Sequence, residues 1–233
     1  MEIKVIASGS KGNAYRISDG KTSILLDAGV PLKTIQKALN FRIRDLSGCL
    51  ISHKHGDHVL AAQDLAKAGV NIYTSQGTIC ACSLKGHRIK RVEALNEITI
   101  GTFKVLPFDV QHDAPEPLGF LITSIFTCEK LLYFTDTYYL KYRFQGLTHI
   151  MGECNYSQEI IEYNVKMGYI PEVFVQRLVK SHMSIDHFTE LLKANDLSKL
   201  KQIYLLHLSD NNSNAEQFKE TVQKLTGVEV YVC

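Results

Sequence analysis

Tryptophan is absent from this 233-residue sequence, and no apolar run approaches the roughly 20 residues that a membrane-spanning helix needs. The N-terminus enters a strand-like pattern at once, without the charged region, long apolar stretch and cleavage site of a secretory signal. The lack of a membrane-spanning run and of a secretory signal predicts a protein of the cytoplasm that has no membrane partner.

A charge excess of one sign is also missing, since the formal net charge is only +2. Dedicated nucleic-acid-binding domains usually carry a clear basic excess, so any attraction to a polyanion must be local. The six cysteines are scattered without zinc-finger pairing, which predicts reduced, buried thiols. Because no repeat, low-complexity tract or linker interrupts the chain, we expect one domain over residues 1–233.

Short strand-like segments alternate with helical ones along the whole chain, which is typical of an α/β protein. The hydrophobic pattern predicts strands at residues 3–7, 14–17, 23–27, 48–51, 71–74, 97–106, 119–125, 130–135, 148–152, 202–207 and 228–232. It predicts helices at residues 31–39, 59–68, 76–83, 157–166, 185–194 and 214–226.

Three histidines and an aspartate crowd the segment His53-Lys54-His55-Gly56-Asp57-His58. An apolar run precedes it and a helical pattern follows, which predicts a strand-to-helix loop that can fold around an ion. Imidazole and carboxylate suit zinc, manganese or iron. A tag-like histidine run and a structural zinc site are the alternatives; the segment is internal and carries no cysteine, which argues against both.

Three further polar residues each follow an apolar, strand-like run: His112, Asp136 and His207. Residues at the ends of successive strands converge on one rim of a β-layer, where binding sites commonly lie. Taken singly, each could be a strand-end cap. Taken with the segment 53–58, they predict one metal site.

The ordered set of Asp27, the segment 53–58, His112, Asp136 and His207 resembles the metallo-β-lactamase superfamily, whose fold is a four-layer αββα sandwich of the α/β class. Five shorter motifs resemble the YycJ (WalJ) group of small proteins regarded as DNA exonucleases. These are ASGSKGN at 7–13, LDAG at 26–29, ECNY at 153–156, SHMS at 181–184 and LHLS at 206–209.

The resemblance implies a site for two divalent metal ions, zinc, manganese or iron. The implied ligands are His53, His55 and His112 for the first ion, Asp57, His58 and His207 for the second, and Asp136 as the bridge. A bridging carboxylate can hold two ions about 3.5 to 4 Å apart around a shared hydroxide, the expected nucleophile. Asp27 would orient the ligands, or else form only a turn before Gly29.

The segment 181–184 carries the candidate substrate contacts His182 and Ser184. The resemblance implies that His182 touches the scissile phosphate and protonates the departing oxygen, work that suits a histidine near neutral pH. His182 is therefore expected to be catalytic, together with the metal ligand Asp57. A surface or helix-cap histidine is the alternative, and Ser184 could be only the N-cap of the helix 185–194.

Weaker substrate candidates lie in the glycine-rich stretch between the first two predicted strands, namely Ser10, Lys11 and Asn13. Its backbone N–H groups could bind an anion, or it could be a plain hairpin turn. Two basic stretches, residues 85–91 and the pair Lys141 and Arg143, could follow a nucleic-acid backbone or be solvated surface.

Together these features predict a dinuclear phosphodiesterase, a DNA exonuclease with nucleic acid as its partner and substrate. The chain between Asp136 and His207 is too short for the inserted domain of β-CASP nucleases, and no basic protruding arm of the RNase Z type is evident. A hydrolase of a small nucleotide, thioester or lactone is the alternative enzyme. A metal-stabilised binding module without catalysis is the non-enzymatic alternative, and the oligomeric state is left open.

Overall fold

The computed structural model describes residues 1–233 and divides into two compact units. The first unit comprises Met1–Asp109 and Ala114–Glu129, and the second comprises Val110–Asp113 and Lys130–Cys233. Whether the chain is a single domain over residues 1–233 is not decided by this division, so that expectation stays a prediction.

The first unit contains a six-stranded sheet whose strands follow sequence order. They are β1 (Glu2–Ala7), β2 (Ala14–Ser18), β3 (Ser23–Leu26), β4 (Leu46–Leu50), β5 (Ile72–Thr74) and β6 (Ile89–Arg91). β1 to β3 are antiparallel and β3 to β6 are parallel. The helices of this unit are α1 (Leu32–Ala38), α2 (Gly56–Val59), α3 (Ala62–Lys67) and α4 (Gln76–Ala81), with a 3₁₀ turn at Ile43–Asp45.

All residues of β3 are buried, and Ile24, Leu25 and Leu26 are fully so, as this apolar run predicts for a strand covered on both faces. In the parallel pair of β3 and β4, Leu26 lies opposite Leu50. The two strands therefore end at the same edge of the sheet, and the residues that follow them, Asp27 and Ser52, come together there.

Three antiparallel strands complete the first unit: β7 (Ile98–Ile100), β8 (Phe103–Asp109) and β9 (Leu118–Ser124). The single strand predicted for residues 97–106 is wrong, because Gly101 adopts a left-handed φ of 57° and turns the chain. The carboxylate of Asp19, after β2, accepts hydrogen bonds from the hydroxyls of Thr102 (2.5 Å) and Ser124 (2.7 Å). Asp19 thus links the β2–β3 hairpin to these strands.

The second unit is built on four parallel strands, β10 (Lys130–Phe134), β11 (His149–Glu153), β12 (Gln202–Leu206) and β13 (Glu229–Val232). Its helices are α5 (Gln158–Lys166), α6 (Glu172–Val179), α7 (Ile185–Ala194) and α8 (Ala215–Thr226). Phe134 pairs with Gly152, and Glu153 pairs with Leu206. The carboxyl ends of three strands consequently share one edge, the position at which α/β sheets commonly bind ligands.

Most predicted elements are confirmed within one or two residues, and the predicted helix at residues 185–194 is confirmed at both ends. α6 was not predicted: its mostly apolar sequence EVFVQRLV contains three valines, which disfavour a helix, and none of its residues is buried in the structure. The predicted helix at residues 59–68 is two helices, α2 and α3, separated at Leu60 and Ala61.

No helix is both long and apolar enough to cross a bilayer. The six cysteines form no disulfide, and all are free thiols, as predicted. The prediction that they are buried holds for Cys49 and Cys154, whereas Cys80 and Cys128 are exposed.

Candidate metal centre

The first unit gathers His53, His55, Asp57 and His58, which we call the histidine cluster. His53 and His55 follow β4 in extended chain, but Asp57 and His58 belong to α2, so the prediction that all four lie on a loop is wrong for these two. The Nε2 atom of His53 lies 3.0 Å from Nδ1 of His55, and the rings of His53 and His58 are 4.2 Å apart. Two imidazole nitrogens thus converge on one point.

Asp27 lies beneath this cluster and is fully buried, with a left-handed φ of 53°. Its carboxylate accepts hydrogen bonds from the backbone N–H of Ser52 (2.7 Å) and from the Ser52 hydroxyl (2.9 Å). It also lies 2.8 Å from Nδ1 of His58. When Nδ1 carries the proton for this contact, Nε2 of His58 presents its lone pair, as a metal-binding histidine requires.

Backbone contacts fix α2 against the residue before β2 and against the chain after β3. The carbonyl of Asp57 accepts from the N–H of Asn13 (2.7 Å), and the carbonyl of His58 accepts from the N–H of Ala28 (2.8 Å). A Cβ atom on Gly29 would lie 1.6 Å from the Asp57 carbonyl oxygen. Only glycine therefore allows this approach.

The glycine-rich stretch after β1 forms the turn that leads into β2. Ser10 and Lys11 are exposed, whereas Asn13 is fully buried and its amide nitrogen lies 3.2 Å from Nε2 of His58. Asn13 thus contacts the histidine cluster directly. Substrate contacts by Ser10, Lys11 and Asn13 stay predictions.

The second unit gathers Asp136, Glu153, His182 and His207, which we call the mixed cluster. Each offers one donor atom, and the four atoms lie within 4.8 Å of one another. Nδ1 of His207 is 2.9 Å from Asp136 and 3.3 Å from Glu153. Asp136 and His207 have φ values of 44° and 54°, a strained backbone that non-glycine residues rarely adopt and that clusters at functional sites.

Glu153 is a member of this cluster that sequence analysis missed as a site residue. It is fully buried at the end of β11, accepts a hydrogen bond from the N–H of Thr137 (2.9 Å), and lies 2.5 Å from Nδ1 of His182. The available signal was a glutamate that ends the apolar strand-like run Ile150-Met151-Gly152. A buried carboxylate needs such partners, because an unpaired buried charge is costly.

The charges of the mixed cluster shift one another's pKa values. Burial disfavours the charged form of His182, but the charge and hydrogen bond of Glu153 outweigh burial and raise the pKa of His182. Burial also disfavours the charged form of His207. The charges and hydrogen bonds of Asp136 and Glu153 outweigh burial and raise the pKa of His207 well above its ordinary value. Despite its burial, Glu153 has a lowered pKa, because His182 and His207 stabilise its charge. The mixed cluster therefore favours the protonated, positively charged forms of His182 and His207.

The donor sets of both clusters suit a divalent metal ion. Imidazole nitrogens converge in the histidine cluster, while the carboxylate of Asp136 and the imidazole of His207 meet in the mixed cluster. Nitrogen and carboxylate donors of this kind bind zinc, manganese and iron, and two adjacent buried carboxylates call for positive charge between them.

The remaining candidates of the second unit lie near the mixed cluster. Nε2 of His112 is 3.6 Å from Asp136, and its Nδ1 is 3.2 Å from the carbonyl of Ser181. Ser184 caps α7 by accepting a hydrogen bond from the N–H of His187 (3.1 Å), the alternative that the sequence left open. A substrate contact by Ser184 stays a prediction.

The two predicted basic stretches differ in their surroundings. In residues 85–91 of the first unit, Arg91 pairs with Glu93 at 2.6 Å. In the second unit, Lys141 and Arg143 border a groove of about 200 Å³ that also contains Glu190.

Residues 22–208 match the family model described as the beta-lactamase superfamily domain. The match spans most of the chain, so the protein belongs to this superfamily. Its predicted metallo-β-lactamase-like fold is confirmed, and the chain is a metal-dependent hydrolase of this superfamily.

The chain is similar to two curated proteins in sequence and to one solved structure in fold. The exodeoxyribonuclease YycJ of Bacillus anthracis is 28% identical, over 97% of this chain and 89% of its own. The exodeoxyribonuclease WalJ of Streptococcus pneumoniae serotype 2 is also 28% identical, over 91% of this chain and 83% of its own. The metallo-beta-lactamase fold protein YhfI of Bacillus subtilis superposes with a TM-score of 0.74 at 16% identity, over 99% of this chain and 95% of its own.

Proposed function

We propose that this protein is a dinuclear metal-dependent phosphodiesterase that degrades DNA from an end. The observation that carries the proposal is the imidazole of His182, which the buried carboxylate of Glu153 holds beside two ligand-type side chains, Asp136 and His207. The relatives named exodeoxyribonuclease support DNA as the substrate. Location in the cytoplasm stays a prediction.

The proposed ligands are those that the sequence predicts, with Asp136 as the bridge. Bound divalent ions would supply Lewis acidity toward the phosphoryl oxygens and activate water. Asp27 fixes the tautomer and orientation of His58 through the 2.8 Å contact with Nδ1.

His182 supplies the proton in this proposal. Its Nδ1–H donates to Glu153, so Nε2 is the atom that faces a substrate oxygen. Glu153 raises the pKa of His182, which favours the protonated imidazole that a proton donor requires. Proton transfer from Nε2 to the departing oxygen stabilises the leaving group as the P–O bond breaks. Glu153 acts as a positioning residue that holds the ring.

The test is incubation of the purified protein, with zinc or manganese, with end-labelled single- and double-stranded DNA, RNA and cyclic nucleotides. We expect stepwise release of nucleotides from DNA ends, and a loss of about 10²- to 10⁴-fold in His182→Ala at unchanged metal content. His87→Ala, which removes an exposed histidine of the first unit, is the matched control.

Uniform inactivity toward all phosphodiesters would refute the proposal. Hydrolysis of nitrocefin or of a thioester without phosphodiester cleavage would favour the alternative small-substrate hydrolase. Unchanged cleavage by His182→Ala would remove His182 from the mechanism.

A further inference from the structure

An open groove of about 370 Å³ runs beside the mixed cluster within the second unit. His112 and Ser181 form one wall, and Arg177 and Lys180 border it from the end of α6 and the residue after it. The volume falls in the range of small-ligand sites. The groove therefore joins a predicted metal ligand to two cationic side chains.

Arg177 and Lys180 are free to bind a ligand. They are three residues apart at the C-terminal end of a helix, so their side chains lie on one face. Both are exposed, and neither forms an ion pair with a carboxylate. Asp113 is the one carboxylate in the groove wall, so the two cations leave a positive excess.

Chain connectivity ties these cations to the proposed proton donor. Lys180 is followed by Ser181 and His182, and the Ser181 carbonyl lies 3.2 Å from Nδ1 of His112. The N–H of His182 also donates to the carbonyl of Leu178 (3.0 Å), which continues the helical turn from α6. The cations and His182 are thus parts of one locally hydrogen-bonded segment.

The basic residues that the sequence singled out are less well placed. Arg91 is paired with Glu93, and the groove that Lys141 and Arg143 border contains Glu190 but no predicted metal ligand. Arg177 and Lys180 drew no attention in the sequence because they are single charges in an otherwise apolar stretch.

We propose that Arg177 and Lys180 bind phosphates of a nucleic-acid strand in this groove, adjacent to the phosphate at which His182 acts. The proposal rests on the proposed function and names its substrate as a polymeric strand rather than a small phosphate ester. Arginine binds phosphate through its planar fork and lysine as a point charge, and such contacts fix a strand's register without reading its sequence.

The experiment measures binding of a fluorescently labelled, single-stranded oligodeoxynucleotide with phosphorothioate linkages, which resist hydrolysis, to the metal-loaded protein by anisotropy. In Arg177→Gln/Lys180→Gln we expect affinity to fall at least about tenfold, and the slope of log K against log salt to decrease by about 1.4, since each single-strand phosphate contact contributes about 0.7. Lys33→Gln/Arg44→Gln removes the same charge from exposed positions of the first unit and should leave both values unchanged.

A charge-retaining variant and a monophosphate ligand show whether a loss of affinity comes from lost charge, from misfolding or from a site for a single phosphate. Arg177→Lys/Lys180→Arg keeps both charges and should retain the salt slope, and thermal unfolding checks that all variants fold. A nucleoside monophosphate should bind the wild type and the glutamine variant equally. Equal weakening of strand and monophosphate would show a single-phosphate subsite and overturn the proposal, as would unchanged strand binding in the glutamine variant.

These outcomes are distinct from failure of the proposed function. Weakened strand binding in a protein that cleaves no phosphodiester would uphold the groove and refute the nuclease. Normal DNA cleavage with unchanged strand binding in Arg177→Gln/Lys180→Gln would uphold the nuclease and overturn the groove.

Discussion

The histidine cluster and the mixed cluster reach similar chemistry by opposite routes. The members of the histidine cluster lie within six consecutive residues, 53–58, and a single turn into α2 brings them together. The members of the mixed cluster come from positions 136, 153, 182 and 207, and three of them lie at or just beyond the ends of parallel strands. The first depends on local backbone geometry and the second on strand register.

The two clusters also stabilise their histidines differently. Asp27 contacts His58 from beneath and is itself bound by Ser52. Glu153 contacts both His182 and His207 directly. We expect loss of Asp27 to weaken ligand geometry and loss of Glu153 to change proton chemistry, so variants can separate the two.

The largest expected effect tests the local geometry of the histidine cluster. Gly29→Ala places a Cβ atom 1.6 Å from the Asp57 carbonyl oxygen, which forces α2 away from the chain after β3. We expect a destabilisation of about 3 kcal/mol and loss of bound metal. Denaturant unfolding and elemental analysis measure the two.

Gly56→Ala is the control for this variant, because a Cβ atom at Gly56 meets no atom within 4 Å. If Gly29→Ala kept wild-type stability and metal content, the close approach of α2 would not matter for the histidine cluster.

The next prediction distinguishes the roles of the Asp27 and Glu153 carboxylates. Asp27→Asn should lower metal affinity about 10- to 100-fold, because it weakens the contact that orients His58. Glu153→Gln should lower kcat/KM at least about tenfold and move the alkaline limb of the pH profile to lower pH. The sign follows because Glu153 raises the pKa of His182, and the proposed acid is active only when protonated.

Metal affinity, measured by titration, and kcat/KM, measured between pH 5 and 10, are compared for both variants and the wild type. An alkaline limb that stayed in place in Glu153→Gln, or moved equally in Asp27→Asn, would contradict the separation of roles.

The smallest effect concerns a carboxylate with a structural role in the first unit. Burial alone would raise the pKa of Asp19, but hydrogen bonds from Ser124, Thr102, Thr22 and Lys21 lower it to about 2. Its folded pKa lies below the ordinary 3.8, so its contribution is complete above about pH 4 and is lost as the pH falls toward 2. The loss should amount to about 2 kcal/mol.

Urea unfolding at pH 5, 4, 3 and 2 measures this contribution. Asp19→Asn should flatten the acid limb of the wild-type curve, whereas Asp64→Asn, at an exposed position of α3, should not. Identical acid limbs in the wild type and Asp19→Asn would show that the cross-link to Thr102 and Ser124 carries no pH-dependent stability.

The contrast between clusters also explains what could be predicted from the sequence. The segment 53–58 was visible because its donors are neighbours in the chain, and Asp136 and His207 were visible because polar residues that end apolar runs stand out. Glu153 also ends a strand, yet a lone glutamate there resembles any surface residue. The register of β11 and β12 gives it His207 as a partner, and the pairing of Asn155 and Tyr156 with Met183 and Ser184 brings His182 to it.

The same reasoning applies to helices and cations. α7 was predicted in full because four of its residues are buried along one face. α6 buries none of its residues and was not predicted from its valine-rich sequence. Arg177 and Lys180 gain their significance only from the groove that they border.

The sequence by itself determined the superfamily, the metal-binding character and the alternation of strands and helices, because these depend on the identity and spacing of near neighbours. Only the tertiary structure decided that Glu153 holds His182, that Gly29 must lack a side chain, and that Arg177 and Lys180 lie beside His112. Those relations join residues far apart in the chain, and they follow from strand register and close packing rather than from local pattern.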